Sequence, residues 1–259
     1  MSVTIALAGN PNCGKTTMFN ALTGANQYVG NWPGVTVEKK EGKLKNQKDV
    51  TVTDLPGIYS LSPYTLEEVV SRDYLLKEKP DVIIDLVDAT NIERNLYLAT
   101  QLLEIGIPVV IALNMVDLLK KNNIHINVKG LSSALGCPIV ETSALKGTGL
   151  KEVVDEAIKC ANQHRVPSKQ MEFPKAVEKA VNEIEGLVPV NISEENRRWY
   201  AVKLLERDSK VKEGLNLPAS AQSRIEEIAS ELEKAEDDDT ESIVTDGRYQ
   251  YIQKVVSAN

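Results

Sequence analysis

Short apolar runs alternate with stretches of helical spacing along the first 167 of the chain's 259 residues. Five runs rich in Val, Ile and Leu predict buried strands, at Val3–Ala8, Asp49–Asp54, Val82–Val87, Ile107–Leu113 and Pro138–Thr142. Four segments between them carry apolar residues three and four positions apart and predict helices, at Lys15–Leu22, Leu66–Lys77, Glu93–Glu104 and Leu150–Cys160. Strands that alternate with helices predict an α/β fold with a mostly parallel sheet covered on both faces.

Two local signals refine this part of the chain. Thr36–Lys45 predicts one more strand, and its alternating charges, such as Glu38 and Lys40, are typical of a solvent-facing edge. Thr65 followed three residues later by Glu68 is a capping-box pattern, which predicts the start of the second helix.

The remaining residues show helical patterns alone. Three apolar stripes predict helices, around Phe173–Ile184, Trp199–Leu205 and Ile225–Leu232. Residues 1–167 hold 12 of the 15 glycines and a net charge of −1, whereas residues 168–259 hold three glycines and a net charge of −6. We therefore predict an α/β domain at residues 1–165, a small all-helical domain at 166–259, and a linker near Pro167.

The overall composition narrows the class of protein. Thirty basic against 37 acidic residues give a net charge of −7, which argues against a general nucleic-acid binder. The longest apolar runs fall far short of the ~20 residues of a membrane helix, and the N-terminus lacks a signal-peptide pattern. Three cysteines without metal-type spacing fit a reducing compartment. We expect a soluble chain that faces the cytosol.

A phosphate-binding loop is the strongest chemical signal. Residues 9–16 match G-x-x-x-x-G-K-[ST] between a predicted strand and a predicted helix. Glycines allow backbone N–H groups to turn toward phosphate oxygens, while Lys15 supplies charge and the Thr16 hydroxyl suits Mg²⁺. The nucleotide-binding residues predicted here are Gly9, Asn10, Pro11, Asn12, Cys13, Gly14, Lys15, Thr16 and Thr17.

Three later segments follow in the order that a guanine-nucleotide protein needs. Asp54-Leu55-Pro56-Gly57 ends a strand, so that Asp54 can reach Mg²⁺ through a water and the Gly57 N–H can meet the γ-phosphate. The second segment is Asn114–Asp117, in which the Asp117 carboxylate can accept from guanine N1–H and the exocyclic amine. The third segment is the motif Thr142–Ala144. Each segment lies at the carboxyl end of a strand, the edge where α/β sheets bind ligands. The base-binding residues predicted here are Asn114, Met115, Asp117, Thr142, Ser143 and Ala144.

The base motif departs from the usual Asn-Lys-x-Asp pattern, because Met115 stands at the lysine position. A methionine can cover one face of the guanine with its apolar stem but brings no charge. We expect guanine specificity with weaker nucleotide binding.

These motifs resemble a TRAFAC-type small GTPase, and the connecting sequences resemble ferrous iron transport protein B. The resemblance rests on residues 30–38 (GNWPGVTVE), 54–61 (DLPGIYSL) and 88–96 (DATNIERNL), and it covers essentially the whole chain. It implies a GTPase domain and a helical domain that precede a membrane permease domain, so the chain would be an excised N-terminal fragment. The implied partners are GTP and GDP, the permease domain of the same protein, and further copies of the full transporter; no nucleic acid is implied. The implied location is the cytoplasmic face of the cell membrane.

The resemblance also implies ion-binding roles. Thr36 resembles the switch I threonine that binds Mg²⁺ beside the γ-phosphate; switch I would be the loop Asn26–Val35 and switch II would begin at Gly57. Asn12 resembles the potassium ligand of potassium-activated G proteins, with backbone carbonyls near Gly30–Trp32 completing the shell. We therefore expect Mg²⁺ as cofactor, K⁺ as activator, and catalytic roles for Asn12, Lys15, Thr36 and Gly57.

Catalysis is expected to be slow. Ile58 stands where Ras-like proteins carry the glutamine that orients the attacking water. Arg72 and Arg94 are predicted to be surface residues on helices, so neither is a clear arginine finger. The function expected is a GTPase that relays its nucleotide state through the helical domain to an iron-transporting pore. The alternative is a soluble GTPase of RNA or ribosome assembly, although such proteins generally carry a basic module; an ATPase is disfavoured by Asp117.

Overall fold

A computed structural model describes residues 2–25 and 27–259 of the chain. It divides into two compact units. The first contains the residues up to Leu103 together with Ile107–Gln170 and Val255–Asn259, and the second contains Glu104–Gly106 and Met171–Lys254. Within the described residues, no helix is both long enough and apolar enough to cross a bilayer.

The first unit is built on a seven-stranded sheet. Its strands are β1 (Val3–Gly9), β2 (Gln27–Asn31), β3 (Glu38–Leu44), β4 (Gln47–Asp54), β5 (Val82–Asp88), β6 (Val109–Asn114) and β7 (Ile139–Glu141). Their order is β2-β3-β4-β1-β5-β6-β7, and the pairs formed by β4, β1, β5, β6 and β7 are parallel. β1 lies between β4 and β5 and is almost fully buried, as its run of apolar residues predicts. The mostly parallel α/β sheet predicted from the sequence is confirmed.

The helices of this unit follow the predicted alternation. They are α1 (Lys15–Thr23), α2 (Leu66–Asp73), α3 (Ile92–Leu102), α4 (Val116–Lys121), α5 (Val128–Leu135) and α6 (Leu150–Gln163). The capping box of α2 is present, because the Thr65 side chain accepts from the Glu68 N–H and Glu68 accepts from the Thr65 N–H. A π-helical turn, Tyr74–Glu78, follows α2. The short helices α4 and α5 were not predicted.

One edge of the sheet differs from the prediction. β3 is not an edge strand, because β2 pairs antiparallel with it from Gln27 opposite Gly42 to Asn31 opposite Glu38. The segment predicted as a switch I loop, Asn26–Val35, therefore contains the outermost strand; Asn26 itself lies outside the described residues. A run with two glycines and a proline favours a loop by local propensity, but pairing with β3 determines its structure.

The second unit is all-helical, as predicted. It contains α7 (Lys175–Glu185), α8 (Glu194–Leu205), α9 (Ser209–Leu215), α10 (Ala219–Glu236) and most of α11 (Thr240–Ser257). The predicted apolar stripes form its core, with Trp199 fully buried. Inside this unit Arg248 binds Glu104 through two hydrogen bonds, of 3.1 and 2.7 Å, and both side chains are at most 1% exposed.

Candidate functional site

A cavity of about 700 Å³ opens where β1 and β6 end, at the carboxyl edge of the sheet. This volume lies in the range of small-molecule sites. The residues that line it are Asn10, Pro11, Asn12, Gly14, Lys15, Thr16, Thr17, Gly57, Asn114, Met115, Asp117, Leu118, Ser143, Ala144 and Leu145. The structure thus brings together residues from all four predicted motifs.

The loop between β1 and α1 forms one end of the cavity. Gly14 has φ +95°, and a Cβ there would overlap the Asn114 amide, so this position requires glycine. α1 then begins at Lys15, and the Met18 N–H donates to the Gly14 carbonyl at 3.0 Å. The free N–H groups of this first helical turn, together with the helix dipole, favour an anion at this end.

A buried ion pair lies at the same end. Lys15 Nζ is 2.7 Å from Asp54 Oδ1, and the two side chains are 10% and 7% exposed. Burial raises the pKa of the Asp54 carboxyl, and the Lys15 ammonium opposes that rise. Lys15 thus carries its charge beside the phosphate end of the cavity while Asp54 compensates for it.

Asn114 connects the phosphate end to the opposite end. Its side chain is buried, and Nδ2 donates to the Cys13 carbonyl at 2.8 Å. Its Oδ1 accepts from the Ala144 N–H at 2.9 Å and from the Thr142 hydroxyl at 3.3 Å. The side chains of Asn114 and Thr142 therefore use their hydrogen bonds to hold the loops in place. Hydrogen bonding to a ligand in the cavity is left to neighbouring residues.

Asp117 supplies the negative charge of that opposite end. Hydrogen bonding from Ser143, followed by hydrogen bonding and charge from Lys146, lowers the pKa of its carboxyl. The Lys146 ammonium is 3.2 Å from Asp117 Oδ2. A carboxylate held ionised can accept two hydrogen bonds from adjacent N–H donors of a purine, the pattern of guanine and not of adenine.

Two cavity-lining residues and one residue that contacts Asp117 were not predicted from the sequence. Leu118 and Leu145 add apolar surface near Met115, and Leu145 is 85% exposed. Lys146 was also missed. Leu145 and Lys146 directly follow the predicted motif Thr142–Ala144. The available sequence signal was a leucine within a short polar segment, where an apolar side chain has no core to pack into.

Other predicted residues lie behind the cavity wall. Cys13 and Thr142 are buried at 1% and 0% exposure, and Gly9 and Asp54 end their strands without lining the cavity. Burial raises the pKa of the Cys13 thiol to about 12, with the Asp85 charge adding to the effect. The thiol therefore stays protonated and adds no negative charge to a phosphate site.

The predicted switch I ligands are not at the cavity in this structure. Gly30 is paired opposite Lys39 in the β2–β3 ladder, and Thr36 lies in the turn before β3. The Trp32 carbonyl accepts from the Val35 N–H at 3.2 Å. The expected meeting of Thr36, Gly30 and Trp32 with the phosphate loop is absent from this arrangement.

The start of switch II does reach the cavity. Gly57 lines it, and a Cβ at Gly57 would lie 3.3 Å from the Pro11 backbone. The Ile58 N–H donates to the Gly9 carbonyl at 3.3 Å, and the Ile58 side chain is buried. The backbone of this segment, not its side chains, therefore faces the phosphate end.

Arg72 and Arg94, the two arginines considered as possible arginine fingers, differ in their exposure to solvent. The prediction that Arg72 is a surface residue is wrong, because its side chain is only 3% exposed within the fold. Arg94 is exposed, but its guanidinium carbon lies 4.5 Å from the centre of the Tyr59 ring in a cation–π contact. The Arg94 carbonyl accepts from Asn10 Nδ2 at 3.4 Å. The first turn of α3 therefore contacts both the phosphate loop and switch II.

Two family models match this chain, one over each of its two parts. The family described as ferrous iron transport protein B matches residues 3–157, and the cytosolic helical domain of that protein matches residues 173–258. The Fe(2+) transporter FeoB of Shigella flexneri is 42% identical over 260 residues, which covers 96% of this chain and 32% of that protein. The FeoB of Escherichia coli K12 is 41% identical with the same coverage. The chain spans about a third of the length of these curated relatives.

Solved structures match over nearly the whole chain. An S. thermophilus NFeoB mutant bound to mGDP has a TM-score of 0.96 and 47% identity, with 99% of both chains covered. NFeoB from S. thermophilus bound to GDP.AlF4- and K+ has a TM-score of 0.90 and 48% identity, with 98% of this chain and 99% of that chain covered. The chain belongs to the ferrous iron transport protein B family, and it carries that family's GTPase domain and cytosolic helical domain.

Proposed function

We propose that this chain binds GTP and GDP at the described cavity, hydrolyses GTP slowly with stimulation by potassium, and relays its nucleotide state to an iron-transporting membrane domain. The observation that carries the nucleotide part is the single cavity that joins the helix-end phosphate loop to Asp117. Anion binding at one end and a guanine-type acceptor at the other match the two ends of a guanine nucleotide.

At the phosphate end, backbone N–H groups of residues 13–17 would surround the β-phosphate. Lys15 would exchange its contact with Asp54 for the β- and γ-phosphate oxygens, since it is already within 2.7 Å of a carboxylate at that end. The Gly57 N–H would meet the γ-phosphate. At the base end Asp117 would accept from the guanine, with Met115 and Leu145 covering its faces.

The residues present fit a magnesium ion. The Thr16 hydroxyl lines the cavity and the Asp54 carboxylate lies behind it, and such hard oxygen donors are those that Mg²⁺ prefers. When bound, Mg²⁺ withdraws charge from the phosphate oxygens. Thr36, the third predicted ligand, would join the site after switch I rearranges.

Potassium has a candidate ligand in Asn12. This residue lines the cavity in the left-handed conformation, at φ +67°, and its side-chain oxygen is a neutral donor suited to a monovalent cation. S. thermophilus NFeoB has been solved with GDP.AlF4- and K+ together, which supports a potassium site in this family. A bound monovalent cation stabilises negative charge that develops on the transferring phosphate. Asn12 would hold it there in the absence of an arginine finger.

The slow rate follows from switch II. Ile58 is buried and has no polar side-chain atom, so it cannot orient the attacking water. Catalysis would then rest on charge stabilisation by Lys15 and on positioning by the backbone near Gly57. Asn12, Lys15, Thr36 and Gly57 are the catalytic residues of this proposal.

The second part of the proposal is that the nucleotide state is transmitted to an iron-transporting pore. Its support is that the chain covers only 32% of relatives named as Fe(2+) transporters, which leaves room for a membrane domain. We also propose a domain boundary at 165/166 and a location at the cytoplasmic face of the membrane. The proposed partners are the permease domain of the same protein and further copies of the full transporter. No observation favours the RNA-assembly alternative.

Two experiments test these parts separately. Competition of unlabelled GTP, GDP and ATP against fluorescent GDP should show displacement by both guanine nucleotides and not by ATP; displacement by ATP at equal concentration would contradict the base assignment. For the relay, iron uptake by vesicles that contain the full-length protein should require GTP and should be lost in Lys15→Ala. Uptake unaffected by that variant would contradict the relay.

A further inference from the structure

Trp32 is the most enclosed of residues 27–35, the described part of the predicted switch I. It directly follows β2, and its side chain is 7% exposed although the strand beside it is mostly exposed. Its ring packs edge-to-face on Tyr74, with 5.3 Å between centroids and an interplanar angle of 69°. Lys39 Nζ lies 5.1 Å from the Trp32 ring centroid. Such ring and cation–π contacts are favourable and specific in geometry.

Tyr74 is itself held from a second direction. Its hydroxyl donates to Thr53 Oγ1 at 3.1 Å, and Thr53 precedes Asp54 at the end of β4. Tyr74 is also the first residue of the π-helical turn after α2, and π-turns often occur at functional sites. The ring that holds Trp32 therefore belongs to the element that follows switch II.

The Trp32 indole N–H is buried and has no hydrogen-bond partner among the residues that the structure describes. A buried N–H without an acceptor opposes burial, because the group loses its water and gains nothing in return. The indole ring is therefore held here by its contacts with Tyr74 and Lys39, and its N–H contributes no hydrogen bond to that position. A competing interaction can therefore displace the Trp32 side chain from this position more easily than if its N–H were hydrogen-bonded.

The backbone of Trp32 is also held by hydrogen bonds within the turn before β3. Its N–H donates to the Val37 carbonyl at 2.9 Å, and its carbonyl accepts from the Val35 N–H at 3.2 Å. That carbonyl is one of those expected to bind potassium beside Asn12, yet Trp32 does not line the cavity. The turn and the Tyr74 contact must both be released before this carbonyl can serve a cation at the phosphate end.

We infer that Tyr74 is a positioning residue, which holds Trp32 away from the phosphate site through its ring and so sets the potassium concentration at which switch I is recruited. This inference rests on the proposed potassium-stimulated hydrolysis. Tyr74 does not line the cavity; it acts through Trp32, and its removal would favour the released state without altering the site itself.

The test compares Tyr74→Leu, which removes the ring, with Tyr74→Phe, which keeps the ring and loses only the hydroxyl bond to Thr53. Tyr249→Leu, a change at a partly exposed tyrosine of the helical unit, is the matched control. GTP hydrolysis is titrated with potassium at constant ionic strength. In parallel, 19F NMR of 5-fluorotryptophan-labelled protein follows Trp32, whose signal is assigned with Trp199→Phe because the chain has two tryptophans.

The half-saturating potassium concentration of Tyr74→Leu should fall at least threefold while kcat at saturating potassium stays unchanged. Tyr74→Phe and Tyr249→Leu should match the unsubstituted chain. The Trp32 resonance should shift on addition of GDP, AlF4−, Mg²⁺ and potassium, and in Tyr74→Leu it should already be shifted in sodium. An unchanged half-saturating concentration, or a Trp32 resonance unaffected by Tyr74→Leu, would overturn the inference.

The two proposals fail in different ways. Absence of potassium stimulation in the unsubstituted chain would refute the proposed function. The Trp32 resonance would then still decide the role of Tyr74, because a resonance that does not move with the nucleotide complex overturns it. A lowered kcat in Tyr74→Leu with no change in half-saturation would indicate a merely structural role and would also overturn the inference.

Discussion

Replacement of Asp85 by Asn should change how the stability of the first unit depends on pH. Asp85 lies on β5 opposite Ala8 of β1 and Ile111 of β6, and its side chain is 1% exposed. Its Oδ2 is buried and receives no hydrogen bond within the described part of the chain. Burial raises the pKa of this carboxyl from 3.8 to about 7, because the charged form loses its hydration.

The sign follows from proton binding. Below pH 3.8 the carboxyl is protonated in both the folded and the unfolded chain, so its ionisation has no effect on stability. Between pH 3.8 and about 7 the unfolded chain releases the proton and the folded chain keeps it, so stability falls as pH rises. Above pH 7 the loss is complete. At about 1.4 kcal/mol per pKa unit, the difference amounts to about 4 kcal/mol.

Asn cannot ionise, so the free energy of unfolding of Asp85→Asn should exceed that of the parent by an amount that grows between pH 5 and pH 8. The increase over that range should be about 2–3 kcal/mol, approaching the plateau set by the shift. Any fixed effect of the new amide is the same at each pH and cancels from the slope. Urea unfolding followed by Trp32 fluorescence measures it, with Trp199→Phe in both chains so that the signal reports the first unit alone. A stability difference that stays constant from pH 5 to pH 8 would show that the pKa of Asp85 is not raised in the folded chain.

Three further outcomes follow from the site and from the helical unit. Met115→Lys should tighten GTP and GDP binding severalfold, because it restores a charge beside the phosphate loop; identical dissociation constants by calorimetry would contradict this. Asp117→Asn should weaken GDP binding at least 100-fold, since an amide presents an N–H to a base that needs an acceptor, and xanthosine diphosphate should bind the variant better; retained GDP affinity would oppose the base assignment. Arg248→Met leaves the Glu104 carboxylate buried without its partner, so it should destabilise the helical unit by about 3–5 kcal/mol in denaturant unfolding, whereas the double variant with Glu104→Leu should recover much of that loss; a loss below 1 kcal/mol for the single variant would contradict it.

Much of the sheet could be predicted because its strands are buried on both faces and therefore appear as continuous apolar runs. The phosphate loop was predictable for a similar reason, since the backbone geometry at Gly14 permits almost no other residue. The sequence grouped Asn114 with the site, and Asn114 lines the cavity. Its role in holding Cys13 and Ala144 depends on hydrogen bonds across 101 and 30 residues of sequence, and no local pattern contains that information.

The edge of the sheet escaped prediction because tertiary pairing outweighs local propensity there. Tyr28 and Val29 are exposed, so β2 carries no alternating burial that would identify it as a strand. The contact of Trp32 with Tyr74 joins residues 42 positions apart and likewise leaves no periodic signal. Arg72 appeared to be a surface residue because charge is a poor guide where a helix packs with a charged side chain inside.

A potassium-stimulated GTPase site organised around Asn12 is tested most directly by GTP hydrolysis in potassium and in sodium at equal ionic strength. The rates are measured for the unsubstituted chain and for Asn12→Ala, with GDP affinity measured alongside. We expect slow hydrolysis in sodium, clear stimulation by potassium, and loss of that stimulation in Asn12→Ala with GDP affinity nearly intact. Equal rates in the two salts, or the same potassium stimulation in Asn12→Ala, would rule out this role of Asn12.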